Sequence, residues 1–143
     1  MQAAPPTSDE ARRVERLHSL GVLDTLPADA YNHITALASA ICETPIALIS
    51  LVDEDRQWFK SRVGLDASQT PREVAFCAHA IHTPEQVMVV EDAAQDQRFH
   101  DNPLVADQPG IRFYAGAPIV TGDGLALGTV CVIDRESRTL SDA

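Results

Sequence analysis

Apolar positions follow a helical spacing at the start of the chain and a two-residue alternation towards its end. Thr7 and Glu10 stand at the T-x-x-E spacing of a capping box, and Val14, Leu17 and Leu20 follow on one face, so a helix is expected that stops at Gly21. A second helix is expected from Asp29, where Tyr31, Ile34, Leu37, Ala38 and Ile41 recur at helical spacing before Thr44-Pro45 ends it. The stretch 46–52 is apolar on both faces, as a covered central strand is, and the Asp53-Glu54-Asp55 turn pairs it with a strand over 56–63. Thr70, Pro71 and Glu73 mark a further capping box with Pro at the first helical position, which predicts a helix from Pro71 to Ile81. A short strand over 87–90 comes next, then a brief helix capped by Asp96 that Asn102-Pro103 interrupts or ends. Ile111, Phe113, Ala115, Ala117 and Ile119 then alternate with Arg112, Tyr114, Gly116 and Pro118. After Gly122-Asp123-Gly124 the alternation resumes over 125–133, which predicts a long hairpin. The order ααββαβ(α)ββ describes an α+β chain with an antiparallel sheet.

These elements fit one domain over residues 8–143 behind a disordered lead-in of residues 1–7. With 143 residues, 45% hydrophobic and 22% charged, the chain is long and apolar enough to bury a core. The net charge of −10 arises from 21 acidic and 11 basic residues, of which Lys60 is the one lysine. That balance speaks against nucleic acid or an anionic membrane surface as partner. No apolar run reaches the length of a membrane span and no signal pattern opens the chain, so a cytoplasmic location is expected. Cys42, Cys77 and Cys131 are odd in number and far apart, which favours reduced, buried thiols over a disulfide framework.

Candidate chemistry gathers at a few positions. At about 100° per residue on a helix, His79 and His82 point away from Cys77, so the three do not close a metal site. Cys77 shares its face with Val74, Ala78 and Ile81 and reads as a buried thiol, with a redox role as the alternative. Trp58 and Phe59 are consecutive on a strand and face opposite sides, so one packs the core while the other meets a pocket, a partner or the core edge. Arg112 and Tyr114 share a face with Gly116, whose missing side chain leaves room above the sheet. That arrangement suits a pocket floor with an anion-holding guanidinium, or else an internal ion pair of Arg112 with Asp92, Asp96 or Asp134. Asp96, Arg98 and Asn102 around Phe99 suggest a loop held by side-chain hydrogen bonds. There is no G-x-S-x-G, H-E-x-x-H, Walker or paired-cysteine zinc pattern, so neither catalytic machinery nor a metal is expected.

Five blocks in order resemble one bacterial subgroup of GAF domains: L-x-x-L-G-V-L-D-T from Leu17, the segments 45–60 and 76–81, the segment 92–105, and the hairpin from Ile111 to Asp134. The resemblance covers residues 11–140. It implies a central antiparallel sheet of five or six strands, terminal helices on one face, and short helices and loops over a small-molecule pocket on the other. It also implies a sensory or regulatory input domain that binds an unidentified small molecule or dimerises to control an attached output domain, a histidine kinase, a diguanylate cyclase or a cyclic-nucleotide phosphodiesterase. A homodimer is expected, and the family's C-terminal helix, which would begin near Ser141, is cut short. The residues assigned to ligand binding are Arg112, Tyr114, Trp58, Phe76, His79 and Phe99. The Asn-Lys pattern of cyclic-nucleotide-binding members and a cysteine context for bilin attachment are missing. A thiol-dependent reductase of the same fold and a purely structural dimerisation module are the alternatives.

Overall fold

The structure is a computed structural model and describes residues 1–139; the expected C-terminal helix lies outside them. Two helices, α1 (Glu10–Ser19) and α2 (Asp29–Cys42), precede the hairpin of β1 (Ile46–Val52) and β2 (Arg56–Val63). Then come β3 (Gln69–Pro71), a 3-10 turn (Arg72–Val74), the one-turn helix α3 (Cys77–Ala80), β4 (Met88–Val90), a second 3-10 turn (Ala93–Gln95) and α4 (Pro103–Ala106). The closing hairpin is β5 (Phe113–Val120) with β6 (Ala126–Asp134). All pairings are antiparallel, in one sheet ordered β3-β2-β1-β6-β5-β4.

Every residue of β1 is buried, because this strand sits mid-sheet with side chains covered on both faces. Ala47 packs with Phe113, Ala115 and Val132 on the α2 face, while Ile46 and Leu48 meet Phe59, Cys131 and Ile133 on the other. Trp58 and Phe59 do face opposite sides: Trp58 packs with Leu17, Leu51 and Leu127, and Phe59 joins the Ile46 group. Gly128 is where β6 crosses β1, since a Cβ there would lie 1.9 Å from the Ser50 carbonyl oxygen.

Two local expectations are corrected. No helix runs from Pro71 to Ile81: Pro71 is extended, Ala75 is extended, and only short turns form between and after them. Long-range contacts override the capping pattern here, because Pro71 pairs with Arg56 on the sheet edge and the Arg72 amide donates to the Asp55 carbonyl at 3.0 Å. Asp96 caps no helix; Asp92 caps the second 3-10 turn, and Asn102 starts α4 by accepting from the Leu104 amide at 2.9 Å instead of ending a helix. The apolar stripe of α2 is largely exposed: Ile34, Leu37 and Ile41 are 46%, 60% and 69% accessible, and the residue it buries is Thr35, bonded to Ser61. Leu20 is likewise exposed.

An ionic junction fixes α1 to the sheet and to the strand leading into α3. Arg13 is fully buried and donates to the carbonyls of Val52 and Ala126 and to Glu10. Glu10 also accepts from the Thr7 amide and hydroxyl, without the reciprocal side-chain bond of a capping box, and from both terminal nitrogens of Arg72 at 2.6 and 2.9 Å. Arg72 and Arg13 together hold the Glu10 carboxyl far below the usual range.

Candidate functional site

Between the sheet and the short helices lies a cavity of about 320 Å³, within the range of small-molecule sites. Its floor is β1 and β6, through Ile46, Leu48, Cys131 and Ile133, with Phe59 of β2 and Tyr114 of β5 beside them. Phe76, immediately ahead of α3, forms part of its wall, and the loop residues Leu65, Asp66, Gln108 and Arg135 rim it. The charges among the lining residues, Asp66 and Arg135, are exposed at this rim, so the interior is uncharged and mainly apolar.

The buried polar groups at one end are satisfied by one another. Gln57 Oε1 accepts from Ser50 Oγ at 2.8 Å and from Cys77 Sγ at 2.9 Å, while Gln57 Nε2 donates to Thr70 Oγ1 at 2.6 Å. Burial pushes the Cys77 thiol up to about 11 and the Cys131 thiol up to about 12, so both are neutral thiols at physiological pH. Neither has the electropositive, exposed surroundings that activate a cysteine. Tyr114 is also raised by burial, and its hydroxyl pairs with Thr129 at 3.1 Å.

Four of the six residues assigned to ligand binding form one aromatic column. Phe76 stacks on Phe99 with centroids 4.0 Å apart and tilts against Tyr114 at 5.2 Å; His79 meets the edge of Phe99 at 5.0 Å. Phe76 and Tyr114 reach the cavity, whereas Phe99 and His79 stand behind Phe76 and are not among its lining residues. Burial holds the half-buried His79 below its ordinary value, and its Nε2 lies 2.8 Å from the Gln2 carbonyl. The equivalent contact of His82 is to the Pro5 carbonyl at 2.7 Å, so both imidazoles meet the stretch expected to be disordered.

Trp58 and Arg112 are placed elsewhere. Trp58 packs under α1 on the other face of the sheet. Arg112 precedes β5 and donates to the carbonyls of Val105 and Ile111, so neither the pocket-floor reading nor the ion pair with Asp92, Asp96 or Asp134 holds. Asp96 is held by Arg98 and Asp134 by Arg138. The space expected above Gly116 is occupied by the Tyr114 ring, whose hydroxyl would be 2.3 Å from a Cβ at that position. Sequence reasoning missed Gln57, Thr70 and Cys131 as lining residues; the alternation of 56–63 was the signal for Gln57 and that of 125–133 for Cys131, each informative only with the strand register, and Thr70 carried none.

This architecture defines a sensory fold with a roofed pocket, and the family model described as GAF domain matches residues 27–143: the chain belongs to the GAF domain family. It is 49% identical over 138 residues to a cyclic di-GMP phosphodiesterase of Pseudomonas aeruginosa, covering 96% of this chain and 23% of that protein. The GAF domain of a phosphoenolpyruvate-protein phosphotransferase from Coxiella burnetii superposes with a TM-score of 0.64 at 11% identity, covering 92% of this chain and 81% of that one. The phycocyanobilin-bound GAF domain of a cyanobacterial phytochrome gives 0.61 at 17% identity, over 92% and 83%. The expectation of a non-enzyme is corrected by the first of these: the chain is half identical to a segment of a protein named as an enzyme. Among the described residues no helix is long and apolar enough to cross a membrane. The chain is a regulatory domain of signal transduction.

Proposed function

We propose that this chain is the regulatory segment of a cytoplasmic cyclic di-GMP phosphodiesterase and that its cavity binds a small, mainly apolar effector. The cavity carries the reading: it is large enough for a ligand, its interior is mainly apolar, and Phe76 and Tyr114 furnish flat walls. Among the expected outputs the phosphodiesterase is favoured over the kinase and the cyclase by the 49% identity to that enzyme's segment. A route from cavity to domain ends supports it. Phe76 lies four residues beyond Arg72, which grips Glu10 of α1, so an effector that moves Phe76 biases the position of α1. At the other end Arg138, beyond β6, donates to the carbonyls of Cys42 and Glu43 at the end of α2. Native mass spectrometry of the purified chain tests the reading. A co-purified small molecule released on unfolding is expected; an apo mass, with no apolar fluorophore taken up at one site, counts against it.

The exposed stripe of α2 favours dimerisation in addition. Ala30, Ile34, Leu37 and Ile41 follow a four-three-four spacing, with β-branched residues and leucine in the places that suit a two-stranded helical seam. The stripe carries no charge, so two copies of a chain of net charge −10 meet there without repulsion. The expected outcome is a dimer by sedimentation that Leu37→Glu converts to monomer; a wild-type monomer would refute it.

A further inference from the structure

A second cleft, of about 540 Å³, opens where β2 meets the start of α2 and the loop before it, and it has no part in the cavity reading. Its lining includes the one lysine and the one tryptophan of the chain, Lys60 and Trp58. Lys60 owes its position to an irregularity in the sheet. Ser50 pairs with Phe59 and Ile49 with Ser61, so Lys60 is an extra residue in β2. Strict alternation would send Ser61 to the cavity side with Phe59; the bulge instead leaves both Lys60 and Ser61 facing the α2 side. Ser61 there bonds Asn32 at 2.6 Å and Thr35 at 2.8 Å.

Lys60 is 7% exposed, and its ammonium donates to Thr25 Oγ1 and to the Leu26 carbonyl, both at 2.7 Å. An ammonium has three N–H donors; two are used, the Tyr31 ring centroid lies 5.3 Å from the nitrogen, and a buried cation is ordinarily paired with an anion. Among the described residues no carboxylate lies within ion-pairing distance of Lys60. The carboxylate lining the cleft belongs to Asp24, and Arg56 grips both its oxygens at 2.8 Å. Asn32 accepts from Ser61 through Oδ1, which leaves its amide N–H donors for the cleft. A chain of net charge −10 therefore holds Lys60 and Asn32 at one cleft whose lining carboxylate, Asp24, is already taken by Arg56.

We infer that this cleft is a second ligand site, which takes a small oxyanion, a carboxylate or a phosphate, on Lys60 with Asn32 as a further donor. The site is independent of the cavity effector. Because Lys60 is the one lysine and Trp58 the one tryptophan, each gives a single spectroscopic signal at the site. The chain labelled with ¹³Cε-lysine is titrated with inorganic phosphate and, separately, with acetate, each against chloride at equal ionic strength. Saturable movement of the lysine signal, and of Trp58 fluorescence with the same midpoint, is expected for one or both oxyanions; the lower midpoint identifies the class. Lys60→Gln should weaken binding at least tenfold by Trp58 fluorescence, and Lys60→Arg should stay within threefold of wild type. Shifts that match chloride, or unaltered binding by a folded Lys60→Gln chain, would overturn the assignment. Should that variant fail to fold, the wild-type lysine signal decides alone.

Discussion

Replacing Glu10 by Gln tests whether the ionic junction holds α1 to the pocket-side segment. Glu10 is the anion shared by Arg13, which is fully buried, and Arg72, whose side chain is 10% exposed. Glutamine keeps the size and some of the hydrogen bonds but removes the charge, leaving two guanidinium groups facing each other across a neutral amide. Breaking a buried pair by removing one partner costs about 3–5 kcal/mol. The Arg13 bonds to the Val52 and Ala126 carbonyls survive, so the low end, about 3 kcal/mol, is expected. For a domain of this size that corresponds to about 6–12 °C in melting temperature, read by calorimetry at pH 7. The pH dependence has a definite sign. The folded carboxyl titrates well below its ordinary value of 4.5, held down first by the Arg72 bonds, so its contribution is complete above that value and is lost as pH falls below it. Wild type should therefore lose its advantage over Glu10→Gln as pH falls from 5 towards 2. A variant within about 0.5 kcal/mol of wild type at pH 7, or a stability difference constant over that range, would refute the reasoning.

Gly128→Ala should cost more than about 3 kcal/mol by urea denaturation, since the new Cβ meets the Ser50 carbonyl and the Leu51 Cα, backbone atoms held by the central pairing; a cost under 1 kcal/mol would contradict the close crossing. At pH 8 a thiol reagent should label the partly exposed Cys42 first and reach Cys77 and Cys131 only on unfolding, because with a pKa near 11 about one Cys77 in a thousand is ionised; rapid native labelling of Cys77 would count against its structural role.

The alternation along 111–133 made the closing hairpin legible, and β1 could be read as a central strand because no polar face interrupts it. Both features come from period-two burial, which a sequence displays directly. The segment 70–81 was misread because its conformation depends on partners far along the chain, Arg56 in the sheet and Glu10 on α1, that no local pattern contains. Phe76 and Tyr114 were found because a small-residue strand and a short aromatic block drew attention to them. Arg112 was misplaced for the same reason, since extending the alternation two residues past the start of β5 gave it a facing it does not have. Lys60 and Gln57 were passed over because a polar residue on either face of a strand gives no local signal of a cavity, and the bulge that turns Ser61 to the side of Lys60 is visible only in the register.

The central claim is that occupancy of the cavity is communicated to an output domain, and Leu65→Trp in the full-length protein tests it most directly. Leu65 stands at the rim, in a loop outside the sheet, so an indole there fills the cavity without disturbing the strands. With the proposed phosphodiesterase output, the account predicts a variant at least as thermally stable as wild type whose cyclic di-GMP hydrolysis changes by threefold or more in rate. A stable, cavity-filled variant with wild-type turnover would contradict it.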